Sequence, residues 1–409
     1  MTQINATGES VAIVLHLQPF TRGRRNMRET IFLLALASAN GGLALRIMEP
    51  MLPRLASQFG TSVAATASVI TAFAIGYAGG QLLHGPLGDR FGKLRVVTIC
   101  LSGAALGCLG CALAQDVGSL AMLRFVSAVF ASASTTLGMA YIGDAVPIGE
   151  RQLVVARFVG GTIIGQALGP LVGGLFTDLV GWRGTFAVVA VVFAAVSIVL
   201  YLRTHSHWAG AARAPSAGNP LRVYLRVLDL PRVRWVIFTG FADGFLFFGA
   251  YSFLGAFLKL KFDLSLTAIG AILAGFGVGG VLYTLAVRPL LLALGQRGLV
   301  VWGGAICCGA YAIIALSPVW VSALPCAIAL GFSFFMLHNT GQTKATEMAP
   351  GNRGAAVSVY ASTWSLGQAA GVAAMGLAVS LLDYAPAIIG FGLGFLALGV
   401  WMRANLHRL

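Results

Sequence analysis

Long apolar runs alternate with short polar connections along nearly the whole chain. A membrane-spanning helix needs about 20 consecutive, mostly apolar residues, and twelve runs approach or exceed that length. They cover 31–55, 63–86, 96–114, 119–141, 154–177, 184–202, 234–257, 265–287, 298–316, 319–342, 355–378 and 385–402. The pattern predicts an all-α integral membrane protein with twelve transmembrane helices.

The longest polar connection divides these helices into two groups of six. Residues 203–233 contain Pro215, Ser216, Gly218 and Pro220 together with five arginines, a composition typical of a cytoplasmic linker. We therefore predict a cytoplasmic, disordered N-terminal tail over 1–28 and a six-helix bundle over 29–202. A linker over 203–233 and a second bundle with a short tail over 234–409 complete the chain.

Two short motifs recur half a chain apart. Gly149-Glu150-Arg151 returns as Gly351-Asn352-Arg353. The sequence 165–169 (GQALG) returns as 367–371 (GQAAG), again 202 residues later and without a gap. Two matches in one register indicate duplication, so the fifth and eleventh helices should be equivalent.

Basic residues collect on one side of the predicted membrane. The 27 Lys and Arg outnumber the 13 Asp and Glu, an excess that in a soluble protein would suggest nucleic acid. With the N-terminus inside, 21 basic residues fall in inner segments, four in outer segments and two within helices. Positive charge marks the cytoplasmic side. We expect both termini to be cytoplasmic in a plasma-membrane protein that binds no nucleic acid.

Composition leaves little room for other classes of protein. Only 10% of residues are charged and 58% are apolar, too little polar surface for a soluble domain. All six cysteines lie in apolar runs, and Gly275–Gly280 matches GxGxxG without a preceding strand. We find no nucleophile elbow, metal-ligand cluster or phosphate loop. We therefore expect neither an enzyme nor a cofactor or metal.

A glycine-rich basic segment lies between the second and third runs. It reads Gly85-Pro86-Leu87-Gly88-Asp89-Arg90-Phe91-Gly92-Lys93 and resembles the GxLxDRxGR loop signature of the major facilitator superfamily. Leu94 departs from that pattern, where a second basic residue is common. The resemblance implies that Gly85, Asp89, Arg90, Gly92 and Lys93 form a loop that locks and releases one state of a transport cycle.

The fifth run carries a second signature. Its residues Gly165, Gly169, Pro170, Gly173 and Gly174 resemble the GPxxGG motif of drug/proton antiporters, twelve-helix efflux permeases of the same superfamily. Small residues on one helix face let two helices touch. The resemblance implies a monomer that exports a small organic solute in exchange for protons by alternating access. A proton-coupled importer of a metabolite stays an alternative, and an embedded enzyme or sensor would need features that we do not find.

Ionisable residues inside membrane helices are costly, so each is a candidate functional residue. Arg46 and Glu49 lie in the first helix, Arg124 in the fourth, where the superfamily has an embedded arginine, and Asp243 in the seventh. We consider all four for proton coupling. Either Glu49 pairs with Arg124 across helices, or Arg46 and Glu49 pair locally and reach outward.

Further polar residues in the second half are candidates for the transport cavity. His338, Asn339 and Gln342 form a stripe on the tenth helix, and Gln368 lies in the eleventh. The alternative is that these residues only hydrogen-bond between helices. Aromatic residues such as Phe248, Phe334 and Trp364 either line a pocket or face lipid. We expect a small-molecule substrate, protons and the lipid bilayer as partners.

Overall fold

The computed structural model describes residues 18–210, 220–349 and 353–409, and these contain helices and no strand. We number the membrane helices in chain order. They are α1 (Gln18–Arg46, continued after a turn by Leu52–Phe59), α2 (Ser68–Phe91), α3 (Lys93–Leu113), α4 (Val117–Ala145), α5 (148–180), α6 (182–204), α7 (Pro231–Phe262), α8 (266–294), α9 (296–316), α10 (Ala323–Glu347), α11 (Arg353–Leu382) and α12 (Tyr384–Asn405).

The structure confirms twelve helices, although some connections shrink to one residue. Nine helical segments of the described chain are long and apolar enough to cross a membrane. Two of them, Leu153–Thr204 and Leu266–Leu316, are long enough for two crossings each. They break at Gly181 (φ 76°) and Gly295 (φ 60°), where a residue without a Cβ adopts positive φ cheaply. With α1, twelve crossings result.

Helix is present in the predicted N-terminal tail and in the predicted linker. α1 begins at Gln18, so the prediction of a disordered tail is wrong for 18–28, while 1–17 lie outside the described residues. In the predicted linker, a short amphipathic helix spans Pro220–Leu228, which we call the linker helix. Its buried Val227 and exposed Arg226 explain why a polar-looking segment folds on the protein surface. Residues 211–219 lie outside the described residues.

The two bundles repeat one packing arrangement. A Cβ placed on Gly42 would lie 3.1 Å from the backbone nitrogen of Gln166, and one placed on Gly244 would lie 3.1 Å from that of Gln368. All four positions are related by the same shift of 202 residues. α1 therefore packs on α5 as α7 packs on α11, and the predicted equivalence is confirmed for these helices. Gly351 and Asn352 of the other repeat lie outside the described residues.

The halves meet on the side of the membrane away from the chain end. Arg232 Nε donates a hydrogen bond to the Leu409 carbonyl oxygen (2.6 Å), so α7 begins on the side where the chain ends, which we call the terminal face. On the opposite face, Asp178 of α5 accepts hydrogen bonds from the Thr267 backbone and hydroxyl of α8 (2.8 and 2.7 Å). Gly255 of α7 packs against Pro50. These contacts join the halves at the opposite face.

Candidate functional site

The segment predicted as a signature loop is mostly the end of a helix. α2 continues through Phe91, and α3 begins at Lys93. Gly92 alone makes the connection, with φ 90° and ψ 126°. The loop prediction is therefore wrong for residues 85–91, because one glycine with positive φ reverses the chain where several turn residues were expected.

The charged residues of this signature meet at the terminal face. Lys93 Nζ lies 3.6 Å from Asp89 Oδ1 and also contacts the Asp144 carboxylate at the end of α4. Asp89 is 64% exposed. Arg90 turns away and its Cζ lies 5.0 Å from the Phe91 ring centroid. Lys93 therefore links the ends of α2 and α4 through two carboxylates.

The small residues of α5 contact two helices rather than one. Gly165, Gly169 and Gly173 face α1, and a Cβ on Gly165 would lie 2.8 Å from the Cα of Ala39. Gly174 and Pro170 face α8: a Cβ on Gly174 would lie 3.2 Å from the Thr267 nitrogen. These small residues therefore lie where α5 approaches its neighbours closely, and the α8 contact belongs to the seam between the two halves.

Arg46 and Glu49 form a buried ion pair that reaches into the second half. Arg46 Nη1 donates to Glu49 Oε1 (3.2 Å), and Nη2 donates to Gln368 Oε1 of α11 (2.7 Å). The Arg46 guanidinium lies 3.5 Å from the Phe248 ring centroid. Of the two pairings left open by the sequence, the structure shows the local one. Neither residue reaches outward, however, since Arg46 is 2% and Glu49 0% exposed.

This cluster can link proton binding to a contact between halves. Glu49 Oε2 and Arg46 Nε have no hydrogen-bond partner among the described residues, so the pair is held by few bonds. Buried opposite charges are stable only together, because each alone leaves an uncompensated charge. A proton on Glu49 would remove its attraction for Arg46. The guanidinium, bonded also to Gln368, would then be free to rearrange.

Arg124 is buried beside this cluster but bonded elsewhere. Its Nη2 donates to the Ala44 carbonyl oxygen (2.8 Å), and its Cζ lies 3.8 Å from the Phe73 ring centroid. Ala44 lies in the last turn of α1, where carbonyls lack intrahelical donors. Arg124 thus caps the end of α1, and the pairing of Glu49 with Arg124, one of the two alternatives left open by the sequence, is not formed.

A second buried acid–base pair joins α7 and α10. His338 Nδ1 lies 2.5 Å from Asp243 Oδ2, and the imidazole stacks on Phe334 with ring centroids 4.8 Å apart. Sequence reasoning selected both residues but missed the pair, because they are 95 positions apart. Asn339 is half-buried and Gln342 is exposed, and their place in a transport cavity stays a prediction.

The aromatic residues of the second half form part of its core. Phe247, Phe248, Tyr251 and Phe334 are at most 3% exposed, and the Phe247 and Phe334 ring centroids are 4.6 Å apart. The lipid-facing alternative is therefore wrong for these four. Trp364 is half-buried, 5.3 Å from the His338 ring.

Comparisons with known proteins agree with this architecture. The family model described as Major Facilitator Superfamily matches residues 34–372. The chain is 28% identical over 282 residues to the uncharacterized MFS-type transporter YwfA of Bacillus subtilis, covering 64% of this chain and 67% of that protein. It is 26% identical to the uncharacterized MFS-type transporter YceJ of the same organism, covering 58% of this chain and 60% of YceJ. The match thus spans roughly two thirds of these relatives.

Solved structures extend the similarity of fold over nearly the whole chain. An inward-facing, unoccupied bacterial homolog of the human lysosomal transporter Spinster aligns with a TM-score of 0.68 at 17% identity, over 93% of this chain and 95% of that one. A POT family transporter in complex with 5-aminolevulinic acid aligns with a TM-score of 0.74 at 13% identity, over 92% and 95%. At such identities the likeness establishes the fold alone.

Proposed function

The chain belongs to the major facilitator superfamily, and from this premise we propose that it exports a small organic solute across the plasma membrane in exchange for protons. Membership makes the protein a multi-pass membrane protein that performs secondary transport. The direction of transport, the coupling ion and the class of solute are the proposed part. Alternating access of the two bundles would expose the solute site to each side in turn.

The Arg46–Glu49–Gln368 cluster carries the proposal. It places a titratable carboxylate of one half, through its arginine, in hydrogen-bond contact with the other half. An antiporter requires proton binding to change the relative stability of two arrangements of its halves. A proton on Glu49 would weaken the arrangement held by Arg46 and Gln368, and its release would restore that arrangement.

One further feature supports an export cycle, and the charge distribution supports the orientation of the chain. The GPxxGG segment that resembles antiporters lies at the seam, where Gly174 packs on α8 of the other half. Helices approach each other closely at glycines without interlocking side chains, so a seam built from glycines can rearrange. The basic terminal face, with its excess of arginine, favours a cytoplasmic position for both termini.

Vesicles of opposite orientation test the direction of transport. Everted and right-side-out membrane vesicles containing the protein would be energised and offered a panel of radiolabelled small organic solutes. We expect proton-driven accumulation of at least one solute in everted vesicles, abolished by a protonophore and absent from vesicles without the protein. Accumulation confined to right-side-out vesicles would contradict export and favour the importer alternative.

A further inference from the structure

Asp243 and His338 form a buried pair that the cluster around Glu49 does not include. Both residues belong to the second half, on α7 and α10, and their side chains are 2% and 11% exposed. Asp243 Oδ1 and Trp364 Nε1 have no hydrogen-bond partner among the described residues. The Trp364 indole nonetheless lies close enough to interact with the Asp243 carboxylate, so the acid lies between an imidazole and an indole.

The backbone holds Asp243 at an irregular point of α7. It is the last residue of a regular helical segment, and Gly244–Phe248 forms a π-helical turn. Such turns often mark functional sites. The position equivalent to Asp243 in the first half, 202 residues earlier, is Gly41. The duplicated fold therefore forms without an acid here, so its presence needs another reason.

The chemistry of the pair identifies which proton can exchange. When Asp243 is ionised, Nδ1 donates to the carboxylate, and Nε2 is the ring nitrogen left to gain or lose a proton. With Nε2 protonated, imidazolium and carboxylate form a neutral pair. After that proton leaves, the buried pair carries one negative charge, which is costly in the membrane. One proton thus changes the net charge of a buried site.

Few other titratable groups face this pair. Tyr360 of α11 lies with its ring centroid 6.3 Å from that of His338, and Cys307 of α9 lies near Asp243. Both are neutral near pH 7 in ordinary surroundings. Among the described residues, His338 is the one basic side chain hydrogen-bonded to Asp243. The charge of the site therefore depends on the imidazole.

We propose that the Asp243–His338 pair is a second proton-binding site, separate from Glu49 and located in the other half of the transporter. The inference deepens the proposed proton coupling, since a cycle that uses both sites could carry two protons. The site itself can be tested without a known solute and independently of Glu49.

Trp364 provides a reporter for this site. Its ring centroid lies 5.3 Å from that of His338, and a protonated imidazole quenches the fluorescence of an adjacent indole. The protein in lipid nanodiscs would be titrated from about pH 5 to pH 9, the range that includes ordinary histidine titration. The chain has seven tryptophans, so the emission of Trp364→Phe would be subtracted from that of the wild type to isolate Trp364.

We expect the difference signal to brighten as pH rises, with one transition. The transition should be lost in His338→Gln and kept in Glu49→Gln, each measured against its own Trp364→Phe background. Asp243→Asn should move the midpoint to lower pH by about one unit or more, because the imidazolium loses its carboxylate.

Three results would contradict a proton-binding site formed by this pair. They are a difference signal that does not change with pH, a transition that persists in His338→Gln, and a midpoint that Asp243→Asn leaves unchanged. If His338→Gln fails to fold, the effect of Asp243→Asn on the midpoint decides whether this pair binds the proton. Loss of the transition in Glu49→Gln would instead show that the two sites are one, contradicting a separate site while leaving coupling at Glu49 untouched.

Discussion

Asp89 is the signature acid, and it shares Lys93 with Asp144 at the terminal face. We expect Asp89→Asn to slow transport several-fold without loss of folded protein, because the exposed acid contributes little to stability but helps to tie α2 to α4. Initial rates in vesicles, corrected for the amount of folded protein, would measure this effect.

Asp263 offers a matched control for that substitution. It also pairs with a lysine four residues away, since Lys259 Nζ lies 2.6 Å from Asp263 Oδ1, but it lies on the opposite face. The hydrogen bond from Lys259 lowers the pKa of the Asp263 carboxyl. Its left-handed backbone (φ 48°) accepts asparagine well. Asp263→Asn should transport at the wild-type rate. Equal rates for both variants and the wild type would contradict a switching role for Asp89.

At this scale the sequence predicts local pairs better than distant ones. Arg46 and Glu49 are three residues apart, close enough to pair across the turn that follows α1, so a local pairing could be predicted from the sequence. Their burial depends on the packing of Gly255 of α7 against this turn. The hydrogen bond from Arg46 to Gln368 depends on where the fold places α11. The 2.5 Å contact between Asp243 and His338 likewise arises from tertiary packing, which no spacing rule encodes.

The contact between α1 and α5 permits a stability test at the scale of elements. A Cβ on Gly165 would meet the backbone of Ala39, whereas one on Gly160 of the same helix meets nothing within 4 Å. Gly165→Ala should destabilise the protein by about 1–3 kcal/mol through overpacking. Gly160→Ala should be neutral or slightly stabilising, because alanine favours helix by about 1 kcal/mol. Thermal unfolding in detergent would compare them, and equal midpoints would contradict close packing at Gly165.

The linker helix contacts a backbone carbonyl of α2 that has no intrahelical hydrogen-bond donor. Pro86 lacks an N–H, so the Leu82 carbonyl has no intrahelical donor, and the Tyr224 hydroxyl donates to that oxygen at 3.3 Å. We expect Tyr224→Phe to speed amide hydrogen exchange at the end of α2 about fivefold, matching a bond worth about 1 kcal/mol.

Pro86→Ala supplies the control for that bond. The substitution restores a backbone N–H that can bond to the Leu82 carbonyl, so adding Tyr224→Phe to this background should change exchange little. The same increase in both backgrounds would show that Tyr224 acts by packing and not through the carbonyl.

Helix number was easier to predict than helix ends. Apolar runs reveal each crossing because membrane helices must be long and apolar. Their connections were predicted too long: 177–184 and 287–298 each contain a break at one glycine, Gly181 or Gly295. Whether a glycine adopts positive φ depends on the chain around it, so the presence of glycine alone does not predict the turn.

The orientation of the whole molecule follows from charge and remains a prediction. Reporter fusions at Leu409 and within the linker 203–233 should both behave as cytoplasmic. The two must agree, because Arg232 contacts the Leu409 carbonyl. Fusions at residues 116 and 260 should report the outside. A linker fusion that reports the outside would reverse the proposed topology.

Proton coupling at Glu49 is tested most directly in proteoliposomes with one solute identified in the vesicle screen. Accumulation driven by a pH gradient and exchange of labelled for unlabelled solute would be measured for wild type, Glu49→Gln and Glu29→Gln. Glu29 is a matched control on the same helix, partly exposed and paired with Arg203 at 3.3 Å. The account predicts that Glu49→Gln loses gradient-driven accumulation but retains exchange, while Glu29→Gln keeps both. Accumulation by Glu49→Gln at the wild-type rate would contradict it and make Asp243 the next coupling candidate.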